Sequence, residues 1–320
     1  MSFRPLRLPL AVALLALTLA ACETEFEAPQ ELTLQARAAT EVLPAGASYL
    51  ARVNLQAVQE HNHFATVSED FDFSNADARF QDFFDATGFD PKTDIEEIYV
   101  AVEGEGEEAR PSLVAYATYD RDRLQDFIDE RLSDEIERTT YQGATIYRSR
   151  TDDEFAFALA AENMLVASAD VAKVEAMLDR LAGGGTALAS DADAMALIGR
   201  VSAGDAWVVV RNFPQAEPEA DASDELSRQA MDLYGTINQA AAAFDVDSED
   251  AEMTVFLRAA DGVSSDDVAD LVRGFVAAMK AQPNIDAAMM KTLDDVDVRS
   301  QDGLVRVRAR VGDEILGRQH

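Results

Sequence analysis

Alternating and periodic hydrophobic residues predict strands and helices in a recurring order. Residues 112–118 are apolar enough for a strand, and apolar residues at helical spacing follow after Asp120, which suits a helix N-cap. A second pair of this kind occupies residues 253–258 and the segment after Ser264. Asp302-Gly303 lies between two alternating segments, as in a hairpin. Hairpin-joined strands pair antiparallel, so we predict an α+β fold of mainly antiparallel sheets with helices packed on one face.

Two stretches of the chain resemble each other and indicate a duplication. AGASYLARVNLQA begins at Ala45 and AGDAWVVVRNFPQA begins at Ala203, with an aromatic residue and an asparagine at the same offsets. We therefore predict two related halves, an α+β domain at 43–190 and another at 195–317, joined by a linker at 191–194. The matched aromatic residues, Tyr49 and Trp207, are expected in the core.

The amino terminus has the features of an export signal. Residues 1–7 are basic, and residues 8–20 form an apolar run of 13 residues, too short for a membrane span of about 20. Leu19-Ala20-Ala21-Cys22 resembles the lipobox of bacterial lipoproteins, and Cys22 is the only cysteine. The resemblance implies removal of a signal peptide at 1–21, lipidation of Cys22 and a membrane partner held through it. Glu23 then favours the outer over the inner membrane, and residues 22–42 are expected to be a tether.

Short motifs of the mature part resemble a group of uncharacterised exported bacterial repeat proteins of unknown function. In that group a Leu-Pro-Ala opening precedes a strand, and a linker bearing serine and aspartate precedes later repeats. The matching residues are 43–46, LPAG, and 190–193, SDAD. The second opening, VSAG at 201–204, lacks the proline. The resemblance implies an exported protein and no particular activity.

Charge narrows the classes of partner. The chain has 60 acidic and 27 basic residues, a net charge of −33. Removal of residues 1–21, which hold two arginines and no acid, would leave −35. Such a surface repels nucleic acid, so we expect no nucleic-acid partner. Lysine occurs only four times, and this composition resembles that of proteins from salt-loving bacteria. The alternative is an acidic protein without any adaptation to salt.

One strand near the carboxyl terminus concentrates positive charge. Arg306, Arg308 and Arg310 alternate with small apolar residues, and this period places the three guanidinium groups on one face. That face is a candidate site for an anion or an acidic partner. The alternative is pairing of the arginines with the protein's own carboxylates on neighbouring strands.

Other clusters carry less chemistry. His61 and His63 suit a surface loop better than a metal site, the DFDFSN and DVDSE stretches lack the glycine of a calcium loop, and EGEGEE at 103–108 suits a solvated loop. No phosphate-binding loop, nucleophile elbow or zincin helix occurs. We therefore expect no catalytic residues, no cofactor and no metal.

Two functions remain in order of preference, with a third behind them. The first is a lipid-anchored envelope protein that is not an enzyme and that binds an envelope protein partner or serves a structural role. The alternative is a carrier or sensor of a small or lipidic ligand held between sheet and helices, which would require a continuous apolar cavity. A hydrolase would require buried carboxylates that linear sequence does not reveal.

Overall fold

The structure is a computed structural model that describes residues 26–59, 78–104, 109–150, 155–211, 225–246, 250–283 and 285–312. The described residues form twelve strands: β1 Tyr49–Asn54, β2 Ile95–Glu103, β3 Arg110–Ala117, β4 Ile136–Tyr141, β5 Ala144–Ser149, β6 Ala156–Leu159, β7 Met164–Ser168, β8 Ala206–Val210, β9 Ile237–Val246, β10 Asp250–Ala259, β11 Asp297–Gln301 and β12 Leu304–Gly312. The α-helices of the same residues are α1 Leu34–Val42, α2 Leu55–Gln59, α3 Ala78–Thr87, α4 Pro91–Asp94, α5 Arg121–Arg131, α6 Val171–Leu181, α7 Ala192–Val201, α8 Glu225–Gly235, α9 Ser265–Lys280 and α10 Ala287–Asp294.

All twelve strands belong to one antiparallel sheet, in the order β11-β12-β10-β9-β8-β1-β2-β3-β7-β6-β5-β4. The predicted α+β class with mainly antiparallel pairing is confirmed. Strands β1 and β8 lie side by side at the middle of the sheet, with Leu50 opposite Val209. Hydrogen bonds between these two strands therefore join the two predicted domains. The relation between the halves, and the domain boundaries, stay predictions.

Helices cover both faces of the sheet, whereas the sequence predicted a cover on one face. Ile146 packs in the same cluster as Val174 of α6, while its neighbour Tyr147 packs with Ile128 of α5. Consecutive strand residues point to opposite faces, so α5 and α6 lie on opposite sides. We call the side of α1, α6 and α7 the first face and the side of α5 and α9 the second face. The difference arises because many strands carry apolar residues at successive positions and need cover on both sides.

The helix caps and one turn follow the local sequence signals. Asp120, Asp170 and Ser264 accept hydrogen bonds from backbone N–H groups at the starts of α5, α6 and α9. Asp302 and Gly303 both have positive φ, 52° and 77°, in the turn between β11 and β12. Two such residues match the twist of the strands that they join. These local predictions are confirmed.

Residues 26–42 are part of the folded body, which corrects the tether predicted for 22–42. Thr33 caps α1 by accepting from the N–H of Ala36 at 3.1 Å. The helix then buries Ala36, Ala39 and Val42 in the main core of the first face. Apolar side chains at helical spacing gain free energy by burial, so this segment packs instead of remaining a spacer. Any free tether is limited to residues 22–25, which lie outside the described residues.

The linker predicted at 191–194 is the first turn of α7 in the structure. Asp191 caps that helix by accepting from the N–H of Ala194 at 3.1 Å. The preceding Leu188 is buried, and its N–H donates to the carbonyl oxygen of Leu43 at 2.8 Å. Polar residues that suggested a flexible join serve here as a helix cap, which is a role that aspartate fills well.

Candidate functional site

Arginines gather on the first face of strands β11 and β12. Arg299 lies directly opposite Arg306 in the register of these strands, and Arg308 and Arg310 follow at alternate positions. Residues at alternate positions of one strand share a face, so the structure brings the predicted arginines together. We call this surface, which carries Arg299, Arg306, Arg308 and Arg310, the arginine face.

Carboxylates of neighbouring strands contact these arginines. Asp297 contacts Arg299 at 2.9 Å and Arg306 at 3.4 Å. Glu252 contacts Arg308 at 3.0 Å and Arg310 at 3.4 Å. The pairing that the sequence analysis gave as the alternative is therefore present. Exposure differs along β12, however, since the side chain of Arg306 is 9% exposed and that of Arg310 is 68% exposed.

The amino-terminal segment docks on the arginine face. We call residues 26–32 the strap. The ring of Phe26 is buried, with the guanidinium of Arg306 5.1 Å from its centroid and the ring of Phe256 edge-on at 6.1 Å. The N–H of Phe26 donates to Oε1 of Gln301 at 2.7 Å. Cation–π and edge-to-face contacts of this kind favour one orientation of the ring.

Helix α7 holds the strap from the other side. The N–H of Gln30 donates to the carbonyl oxygen of Gly199 at 2.8 Å, and Arg200 donates to the carbonyl oxygen of Glu27 at 2.7 Å. Gly199 matters because a Cβ there would lie 3.0 Å from Cβ of Pro29. The missing side chain lets the strap pass close over the helix. Two separate hydrogen-bonded contacts therefore fasten the strap to the body.

A cavity of about 90 Å³ lies where strap, α7 and arginine face meet. Its lining includes Asp245, Glu252, Arg306 and Arg308, so opposite charges share a small space. Burial raises the pKa of the Asp245 carboxyl, and the nearby carboxylates of Asp205 and Glu252 raise it further against the opposing effect of Arg308. The site can bind a small charged group, but it offers no nucleophile paired with a base.

A second polar cluster is buried at the centre of the sheet. Arg52 of β1 contacts Glu97 of β2 at 2.5 Å and donates to the carbonyl oxygen of Gly204 at 2.7 Å. The Tyr99 hydroxyl donates to the same carboxylate. Burial raises the pKa of Tyr99, and its hydrogen bond to Glu97 raises it further. Trp207 packs edge-on against Tyr99 at 6.4 Å, as expected of a core aromatic residue. The cluster joins β1, β2 and the turn before β8.

The remaining candidates are scattered or lie outside the described residues. Cys22, His61 and His63 all lie outside them, as do residues 70–75. Glu103, the first residue of the EGEGEE stretch, pairs with Lys173 of α6. Within the described ranges no three His, Cys, Asp or Glu side chains group as a metal site would need. The described helices also include none with the length and hydrophobicity of a membrane span.

Sequence reasoning missed the strap and the Arg52–Glu97 pair. The strap has a weak signal in Phe26, a lone aromatic residue in a polar stretch, together with the apolar spacing of α1 after it. The buried pair has no such signal, because its two residues stand 45 positions apart and meet only through strand register.

A family model described as "Protein of unknown function (DUF3352)" matches residues 10–286. The chain belongs to the DUF3352 family. The match of this DUF3352 chain crosses the predicted join at 191–194 without interruption. A comparison with curated proteins finds no match.

Solved structures of TP0453 share the fold of this DUF3352 protein. Crystal form III is 10% identical, with 87% of this chain and 96% of that chain covered at a TM-score of 0.50. Crystal form IV is 11% identical, with 90% and 96% covered at a TM-score of 0.50. Crystal form I is 12% identical, with 87% and 94% covered at a TM-score of 0.48. At these identities the likeness concerns the fold alone.

Proposed function

We propose that this DUF3352 protein is a lipid-anchored envelope protein that is not an enzyme and that has a binding or structural role. The signal-like residues 1–21 and the lipobox-like Leu19-Ala20-Ala21-Cys22 support export and lipidation. Two or three acyl chains on Cys22 would give stable anchoring, where one chain would be marginal. Membership of a family of unknown function and a shared fold with TP0453 are compatible with this role.

The observation that carries the proposal is the position of Phe26. This buried residue stands four positions after Cys22 and is fastened to the sheet by its ring and its N–H. A chain that only needed export would gain nothing from fixing the residues next to the cleavage site. A chain that is pulled by a lipid at Cys22 needs its first ordered residues held firmly. The strap therefore suits the load-transmitting end of an anchor.

Binding of a partner is the role that the arginine face supports. Arg308 and Arg310 keep exposed guanidinium surface although both contact Glu252. Exposed ion pairs are worth little, about 0 to 1 kcal/mol, so an incoming carboxylate or phosphate can replace Glu252 at small cost. An envelope protein partner or another anionic surface fits this chemistry.

The carrier or sensor alternative gains no specific support. A cavity of about 500 Å³ between α8 and α9 is lined by Gln229, Asp267, Asp270, Leu271 and Gly274. Such a lining is largely polar and does not suit a lipid chain. The alternative stays a prediction that dye displacement with an apolar probe would test.

Labelling in cells tests the anchor. Cells that express the wild-type protein or Cys22→Ser receive an alkyne fatty acid, and their membranes are then separated on a density gradient. We expect label and membrane association only for the wild type, with outer-membrane fractions enriched. The matched control is Thr24→Ser, a small change two positions away that leaves the thiol intact. Equal labelling and fractionation of Cys22→Ser and wild type would disprove the proposal.

A further inference from the structure

The strap limits how far the body can stand from a lipid on Cys22. An extended chain spans at most about 3.5 Å per residue, so four residues between Cys22 and Phe26 reach about 14 Å. Phe26 is buried on the arginine face, against Arg306 and Phe256. Whichever surface surrounds Phe26 must therefore lie close to the bilayer that holds the acyl chains.

The strap also limits rotation of the body. Its first residue is held by Gln301 in the turn after β11, and Gln30 is held by Gly199 of α7. A chain attached at one point could swivel, whereas attachment at two points several residues apart fixes the direction in which the anchor leaves. The side of the body that faces the lipid is thus the first face of β11 and β12.

The charge of this side differs from that of the whole chain. The arginine face carries four arginines, and the carboxylates of Asp245, Glu252 and Asp297 accompany them. Across the whole chain acids outnumber bases by 60 to 27. Repulsion between an acidic body and anionic headgroups is therefore smallest here. Guanidinium groups are also suited to phosphate, which they bind through two parallel hydrogen bonds.

We propose that the arginine face lies against the bilayer, with the guanidinium groups of Arg308 and Arg310 at the lipid phosphates. This inference rests on the proposed lipidation of Cys22. The second face, with α9, then points away from the membrane. The protein is held in one orientation, by acyl chains at the strap and by arginine–phosphate contacts beside it.

Site-specific fluorescence on the acylated, full-length protein tests the orientation. Lipidation consumes the thiol of the only natural cysteine, so one introduced cysteine is the sole labelling site. Arg310→Cys, at a side chain that is 68% exposed, reports on the arginine face. Asp270→Cys, at an exposed position of α9, is the matched control on the second face. Both variants are reconstituted in phosphatidylethanolamine–phosphatidylglycerol vesicles that contain a nitroxide headgroup quencher.

We expect much stronger quenching at position 310 than at position 270. A helix about 10 Å thick and the sheet beneath it separate the two positions, so the control label should stand about 20 Å farther from the headgroups. Equal quenching at both positions, or stronger quenching at 270, would overturn the inference while vesicle flotation still confirms the anchor. Failure of the acylated wild type to float with vesicles would instead refute the proposed function, and the inference with it.

A charge reversal tests the phosphate contacts. Arg308→Glu in the Arg310→Cys background should lower quenching at 310 at least about twofold at low salt, because a carboxylate is repelled by lipid phosphate. Arg273→Glu on the exposed side of α9 is the matched control and should leave quenching unchanged. Unchanged quenching with Arg308→Glu would overturn the phosphate contacts. So would photocrosslinking in cells from position 310 that yields an acidic protein and no lipid.

Discussion

Replacement of Phe26 by alanine should release the strap without unfolding the body. The ring is buried between Phe256 and Arg306, and alanine keeps none of these contacts. The strap lies at the edge of the fold, and the core that holds α1 begins after it. We therefore expect a local opening of residues 26–32, while the sheet and α1 keep their structure.

The magnitude follows from the contacts that are lost. Removal of a well-buried phenylalanine side chain costs about 3 to 5 kcal/mol, and edge-to-face and cation–π contacts account for about 1 to 2 kcal/mol of that. We take about 3 kcal/mol for a ring at the edge of the fold, which changes the docking equilibrium about 150-fold. Phe26→Leu keeps most of the buried area and loses the ring-specific contacts. It should change the equilibrium about tenfold.

Hydrogen exchange of the Gln30 amide measures the docking, because that N–H is bonded to the carbonyl oxygen of Gly199. Its protection should fall about 150-fold in Phe26→Ala and about tenfold in Phe26→Leu. Leu34→Ala is the control, since Leu34 is 82% exposed and should leave the strap unaffected. A decrease of less than about threefold in Phe26→Ala would refute the reasoning about the strap.

Four further predictions concern the core, the cavity, the strap and the solvent. Arg52→Met should lower the free energy of unfolding by about 3 to 5 kcal/mol in urea titrations, because Glu97 stays buried without its partner, and adding Glu97→Gln should recover part of this loss. Asp245→Asn should raise the melting temperature at pH 7 and have no effect near pH 2. The raised pKa of this carboxyl means that its contribution to stability is complete below its unfolded pKa and is lost as pH rises through the folded pKa; Asp261→Asn, an exposed loss of the same charge, is the control. Gly199→Ala should weaken protection of the strap amides in hydrogen exchange, since its Cβ would crowd Pro29 at 3.0 Å, although alanine favours the helix itself. The melting temperature should rise with KCl if repulsion among acids limits stability, and a flat profile would contradict the halophilic interpretation.

Local signals determined the start of several elements correctly. The caps Asp120, Asp170 and Ser264 bond to N–H groups only two or three residues ahead, so the neighbouring sequence contains everything that the interaction requires. The same holds for the Asp302-Gly303 turn, whose positive φ values depend on the residue types themselves. The alternation of β12 likewise predicted that its three arginines share a face, which the register shows.

Local signals misled where a polar stretch had a structural use. Residues 34–42 are too polar on average to suggest burial, yet the narrow apolar stripe of Ala36, Ala39 and Val42 packs in the main core. At the predicted linker, Asp191 satisfies the open N–H groups of α7. In both places the outcome depends on whether another element lies within reach of the small apolar side.

The sequence alone determined the class of the fold, the antiparallel pairing of its hairpins, its caps and its acidic surface, because each depends on residue type or on neighbours a few positions away. Only the tertiary structure decided that β1 and β8 unite all twelve strands, that helices cover both faces, and that Phe26 docks beside Arg306. The contact partners in these cases stand far apart in the chain, 280 positions for Phe26 and Arg306. Such contacts form because burial of apolar surface and pairing of charge are gained only when the whole sheet assembles, and no short stretch of sequence records that gain.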